Sequence, residues 1–269
     1  MTPPPDGPGV VGSPAWLAAQ GQLRGRTQLR YGIRTLAQVP RFTVDRVKAE
    51  VWRRRPSVGT ISVDLDAAPD STFAWQAVER CNDHLSPAMV NHSWRAWAFG
   101  RALAEIDGAT DRLDAELFFV AAMLHDIGLG RPDQTPCFTR VGSDAVFEVG
   151  DGHRAADDLL IAASAVTHHV TPGLTEAESG VHGVYLQQAT MVDLIGVRTA
   201  ELPLDFVQAV CRRWPVLGVN TEASRRWVAE SRTNPRGRAA LVRRWGQFSL
   251  AVRFGPVAAL CRHEAASAE

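Results

Sequence analysis

Apolar residues recur along this chain with a period near 3.6, in one segment after another, and polar residues fill the positions between them. In "PDSTFAWQAVERCNDHL" (69–85), Phe73, Ala77, Val78 and Cys81 share one helical face behind a Pro-Asp-Ser start. "SPAMVNHSWRAWAFGRALAEID" (86–107) offers Ser86 as an N-cap and Pro87 at the first helical position, where its missing N–H is no loss. Val90, Trp94, Trp97, Ala98 and Leu103 then hold the helical period. "TDRLDAELFFVAAMLHDIG" (110–128) predicts a helix starting at Thr110 or Asp111 and ending near Gly128. A polar loop is expected over 130–146, and further helices over 152–162, 163–169, 177–197, 203–213, 221–231 and 236–251. Upstream, 16–55 is roughly helical, with an interruption at Pro40 and an end at Pro56. "VGTISVDLD" (58–66) alternates weakly but is too isolated to imply a sheet. The predicted class is all-α.

Composition adds to this picture. With 45% apolar residues, 269 residues suffice for one large domain or two small ones. The formal charge is zero, so no bulk argument for a nucleic-acid or membrane partner applies, and no nucleic acid is expected. Charge is uneven, however: Gln22–Arg55 holds nine Arg and one Lys against Asp45 and Glu50, a net of +8. Cys81, Cys137, Cys211 and Cys261 lie far apart without a CxxC pair, so no disulfide framework is expected. The Pro- and Gly-rich first 14 residues read as disordered and do not resemble a signal peptide, and "LFFVAAML" is too short to span a bilayer. A cytoplasmic location is the default expectation.

The chemistry gathers around "AAMLHDIGLG" (121–130), where an apolar helical run ends in adjacent His125 and Asp126. Neighbours on a helix point about 100° apart. The two can reach a common ion only if it lies off the helix end, between their directions. Divalent transition metals take imidazole nitrogen and carboxylate oxygen, and a catalytic site leaves a coordination position open. Candidate donors in chain order are His92, His125, Asp126, His153, His168, His169 and Asp193. Asp193 sits among Met191, Val192, Leu194 and Ile195, where an unpaired carboxylate would be costly to bury. A metal ion or a histidine would offset that cost. Taken singly, each histidine is more often a satisfied core residue than a ligand.

Several of these segments resemble the HD superfamily of metal-dependent enzymes, whose signature is a His, a His-Asp pair and a distant Asp, each on a helix. Here those are His92, His125-Asp126 and Asp193. "LSPAMVNHSWRAWAFG", "AAMLHDIGL", "FEV", "HHVTPGL" and "MVDLIGV" are similar to the cyanamide hydratase-like branch, over roughly 62–215. Two features depart from the branch: "FEVGDGHRAADD" adds His153, and two histidines precede Val170. His153 with His168 also resembles HD proteins that hold two metals; one ion is favoured over two.

The resemblance implies an HD-type helical bundle around a metal site, with Zn, Fe or Mn as the ion. The reaction it implies is addition of water to a small substrate at a nitrile or other carbon–nitrogen centre. His169 is the first candidate acid or base and Glu148 the second; the alternatives are an orienting role for His169 and a helix anchor for Glu148. Trp94 and Arg95 are candidate substrate contacts, and Arg131 is a second candidate for holding phosphate. The rivals are an HD phosphohydrolase, a di-iron oxygenase that recruits His153 and His168, and a non-catalytic helical module. The expected division is a disordered 1–15, a basic helical extension over 16–60, the HD-type domain over 61–255 and a tail over 256–269. The extension packs on the domain or on a second subunit of a homodimer, or offers a surface to an anionic partner.

Overall fold

The structure, a computed structural model, describes residues 1–19, 21–54, 59–129 and 137–257. Among the described residues the chain forms twelve α-helices and no strand. These are α1 (Pro14–Ala19), α2 (Gly25–Arg54), α3 (Thr72–His84), α4 (Pro87–Ile106), α5 (Ala115–Leu124) and α6 (Phe138–Gly150). They continue with α7 (Ala156–His168), α8 (Glu176–Ile195), α9 (Leu204–Arg213), α10 (Val219–Thr233), α11 (Arg238–Gly246) and α12 (Phe248–Arg253). The all-α class predicted from the periodicity is what the chain adopts.

The start signals work as read. Ser71 and Ser86 accept the backbone N–H groups of Ala74 and Met89, capping α3 and α4. A capping box joins Thr175 and Glu178 at the head of α8, and Gly196, at φ 80, ends that helix in the left-handed region. α5 is the centre of the bundle. It packs against α3, α4, α6, α7 and α8, and Leu117–Leu124 are all buried, so the helix is apolar all round. α4 and α8 lie along each other, and α7 bridges α6 and α8. Two glycines permit the closest approaches to α5. A Cβ on Gly100 would stand 2.2 Å from the Phe118 ring, and one on Gly142 would stand 2.3 Å from the Leu124 carbonyl oxygen.

Several boundaries differ from expectation. α5 begins at Ala115, not at Thr110 or Asp111: Thr110–Arg112 is a separate 3-10 turn, and Asp114 caps α5 through the N–H groups of Glu116 and Leu117. Most of the expected loop at 130–146 is helix α6. The expected pair 152–162 and 163–169 is the single helix α7. α2 runs through Pro40 without a break. Pro40 and Leu36 are both exposed, so the helix bond that Pro40 cannot donate to the Leu36 carbonyl is lost on the solvent side of the helix. The expected helix 236–251 is broken at Gln247, whose φ is 52. The N-terminal segment is not loose against the domain: Ser13 is buried, Val11 packs on the core, and Gly12 abuts His168 and Arg238. Cys81 and Cys137 are free and buried, whereas Cys211 is disulfide-bonded, which its spacing gave no reason to expect.

α2 anchors on the domain through its inner face. Tyr31 donates to the Val170 carbonyl at 2.7 Å, and Arg34 pairs with Glu178 and with the Gly173 carbonyl. Its opposite face leaves Leu29, Ile33, Leu36, Val44, Val47 and Val51 exposed. No helix of the described residues is long and apolar enough to cross a membrane.

Candidate metal centre

Four helices bring polar groups into one buried cluster. His92 comes from the second turn of α4, His125 and Asp126 from the end of α5, His169 from just beyond α7, and Asp193 from the last turn of α8. All five are buried, His169 being the most exposed at 7%. α5 stops at Leu124, and the chain turns so that the Leu129 N–H meets the Asp126 carbonyl at 2.8 Å. Gly128 lets that turn lie against α6, where a Cβ would come within 2.3 Å of the Phe138 carbonyl oxygen.

Hydrogen bonding fixes the imidazoles. His92 Nδ1 lies 2.6 Å from Asp193 Oδ2, His125 Nδ1 lies 2.7 Å from the Ala122 carbonyl, and His169 Nδ1 lies 2.6 Å from the Val166 carbonyl. A carbonyl can only accept, and so can the ionised Asp193, so each Nδ1 must carry the hydrogen and donate it. In the neutral ring each Nε2 is then a bare lone pair. His92 Nε2 and His125 Nε2 lie 3.4 Å apart, and Asp126 Oδ2 lies 3.8 Å from the first and 3.3 Å from the second. These three ligand atoms sit within 4.8 Å of one another. His169 Nε2 approaches the other Asp126 oxygen at 3.6 Å.

Lone pairs and a carboxylate at this spacing repel unless a cation lies among them. Burial lowers the His125 pKa, but the adjacent Asp126 charge more than offsets this and the net shift is upward. Burial would raise the Asp126 carboxyl, yet His125 and His169 hold it well below the usual carboxylate range. Asp126 Oδ1 is buried without a hydrogen-bond partner. A divalent ion meets all of these needs at once, and mixed N/O donors suit zinc, iron or manganese. The residues fit such an ion.

Asp193 lies on the far side of the His92 ring. Its Oδ1 accepts Arg95 Nε at 2.7 Å, and its Oδ2 accepts Arg95 Nη2 at 2.8 Å besides His92 Nδ1. Burial would raise its pKa, but the Arg95 charge and these bonds hold it far below the usual range. The other candidates lie elsewhere. Arg95 is fully buried and spends its remaining terminal nitrogen on the Trp214 and Pro215 carbonyls, which leaves no approach for phosphate. Trp94 stacks on Trp214 and meets Trp97 and Phe119 edge-on; Trp97 and Phe99 are core. Glu148 is exposed on α6 and pairs with Arg80 at 3.0 Å. His153 is exposed in the turn after α6. His168 faces Gly12, with both ring nitrogens unpartnered, and burial pulls its pKa down to about 3. Arg131 lies outside the described residues.

A cavity of about 110 Å³ reaches His125, Asp126 and His169. Its other walls are mainly apolar, including Phe42, Leu174, Met191, Trp227 and Phe248, with the neutral polar groups Thr35, Gln38, Gln187, Gln188 and Thr190. Arg41 is the one cation among the described lining residues. Gln187 bonds the carbonyls of His169 and Thr171, fixing that stretch of backbone. Sequence reasoning missed these α2 and α8 contributions. A signal was present in Gln187 and Thr190, polar residues three apart that share one face of α8 with Met191.

Residues 89–198 match the family model for the HD domain. HD domains bind divalent metals and are generally metal-dependent hydrolases. The match spans all the helices that carry the cluster, and it leaves outside it α2 and the helices from α10 onward that close the cavity. No curated protein matches the chain.

Proposed function

We propose that this chain is a hydrolase or hydratase that depends on one divalent ion and adds water to a small, uncharged substrate at a nitrile or related carbon–nitrogen centre. The observation that carries the reading is the trio of His92, His125 and Asp126 beside a small cavity whose walls are apolar or neutral apart from Arg41. The volume of about 110 Å³ compares with the ~150 Å³ of an engineered cavity that admits benzene, which favours a small molecule over a polymer. A nucleotide would call for several cations around its phosphates, and Arg95 is enclosed by protein.

His92 Nε2, His125 Nε2 and Asp126 would hold the ion, which supplies polarisation of a bound oxygen or nitrogen and acidifies water. Three protein donors would leave room at such an ion for water and substrate. His169 is the acid–base group. Burial lowers its pKa, so at neutral pH its ring is uncharged and Nε2 can accept a proton from water. Its Nδ1 bond to Val166 keeps that nitrogen aimed at Asp126 and the cavity. The proton taken from water at Nε2 is then returned to the substrate nitrogen as that atom gains charge. The apolar walls exclude competing water.

The experiment loads the protein with Zn²⁺, Fe²⁺ or Mn²⁺ and offers cyanamide, small nitriles and, in parallel, nucleoside monophosphates and an aryl phosphate. Solvent oxygen appearing on carbon, seen by mass spectrometry in labelled water, supports the reading. Turnover of the phosphate esters alone would replace it with a phosphohydrolase.

A further inference from the structure

We infer that Asp193 and Arg95 are positioning residues for His92: Asp193 fixes the ring so that Nε2 faces the ion, and Arg95 fixes Asp193. The inference rests on the metal reading above, and it departs from the sequence pattern, which placed Asp193 among the ligands.

Three observations carry it. The first is oxygen occupancy. Oδ1 takes Arg95 Nε at 2.7 Å, and Oδ2 takes both Arg95 Nη2 at 2.8 Å and His92 Nδ1 at 2.6 Å. A bidentate guanidinium pair with a third donor fills Oδ2 and leaves one lone-pair site, on Oδ1, of the carboxylate's four. The second is the imidazole itself, whose two nitrogens face in different directions. A carboxylate bonded to Nδ1 stands behind the ring from an ion at Nε2. The third is the helix. Gln187, Thr190 and Met191 present one face of α8 to the cavity. At 100° per residue, Asp193 lies roughly 110–120° round from that face.

Arg95 follows His92 by three residues on α4, so the two side chains share a face and reach Asp193 together. The guanidinium is held from behind by the Trp214 and Pro215 carbonyls at 2.9 and 3.1 Å. Those carbonyls lie beyond the matched HD segment, so the chain that follows α9 completes the support of a ligand on α4. A carboxylate on Nδ1 sets the tautomer and raises the basicity of Nε2, as carboxylate–histidine–metal arrangements do.

The test titrates metal-free protein with Co²⁺ and records the visible absorption of wild type, Asp193→Asn and Asp126→Asn. Asp193→Asn is expected to bind one Co²⁺ with unchanged bands and an affinity about 10–100-fold weaker, while Asp126→Asn loses the bands. Loss or displacement of the bands in Asp193→Asn, to the extent seen in Asp126→Asn, overturns the inference and leaves the metal reading standing. Absence of Co²⁺ binding by wild type overturns both. A second readout needs no variant. In wild type, the far-downfield Nδ1–H proton signal of His92 should persist when Zn²⁺ is added; its disappearance on loading would show Asp193 released to the ion.

Discussion

Replacing Gly128 with alanine puts a methyl group where the HD turn lies on the backbone of α6. The added Cβ would stand 2.3 Å from the Phe138 carbonyl oxygen and 2.8 Å from Val141 Cβ, whereas ordinary contact begins at 3.4 Å. The oxygen belongs to backbone, so a rotamer change cannot relieve the clash. The turn and the start of α6 must separate by the difference between 3.4 and 2.3 Å, about 1 Å. Overpacking of this kind costs about 1–3 kcal/mol, and the backbone contact argues for the upper half of that range. At roughly 2–4 °C per kcal/mol for a chain of this size, the melting temperature should fall by about 4–12 °C. The strain is also local to the cluster. Asp126 is two residues upstream, and the Phe138 ring lies 5.7 Å from that of His169. A displacement near 1 Å at a reacting group can cost about 100-fold in rate. Thermal melts and metal titration of Gly128→Ala, with Gly7→Ala as a control in open space, check both parts. A melting temperature within 1 °C of wild type and an unchanged metal affinity would refute the close packing of the turn on α6.

Two further consequences concern residues outside the cluster. Burial, helped by the Arg238 charge, pulls His168 from 6.5 to about 3, and burial pulls His182 to about 4. Both are neutral when folded and charged when unfolded below pH 6.5, so the unfolded chain binds more protons there. Their contribution is complete above pH 6.5 and is lost as pH falls towards the folded values. In urea unfolding at pH 7, 6 and 5, His168→Gln should flatten the decline, by about 1 kcal/mol between pH 6 and 5 and roughly half as much between pH 7 and 6, where the unfolded histidine is only partly charged; an unchanged slope would contradict the burial of a neutral ring. Glu148 is exposed, paired only with Arg80 among the partners seen, and absent from the cavity walls. Glu148→Gln should therefore leave kcat/KM within twofold and stability within about 1 kcal/mol, and a hundredfold loss in a steady-state assay would reject that placement.

The elements that sequence made legible are those whose signals are local. Ser71, Ser86 and Pro87 mark helix starts because a cap acts within three residues, and the burial of His92 and Asp193 could be read from their apolar neighbours. α6 was missed although Phe138, Val141, Ala145, Val146 and Val149 keep a helical period. It lacks a side-chain cap, and Gly142 and Ser143 resemble a loop; Gly142 is there for its approach to the Leu124 carbonyl. Arg95 read as a phosphate contact because its partner, Asp193, is 98 residues away, and no local pattern encodes that pair. The charge run on α2 drew attention to its surface, while Gln38, Arg41 and Phe42 reach the cavity from the same helix. His125 and Asp126 were legible because they are adjacent; the third donor of the trio, His92, is 33 residues away from His125, and although it stood among the candidate donors, only the resemblance joined it to the pair.

The central claim is that His92, His125 and Asp126 hold one divalent ion. Its most direct test is the metal content of protein purified anaerobically without added metal, measured beside Asp126→Ala. The account predicts close to one equivalent of zinc, iron or manganese in wild type and loss of it in the variant, with both proteins folded by circular dichroism. Two equivalents in wild type, or equal metal in the two proteins, would contradict it.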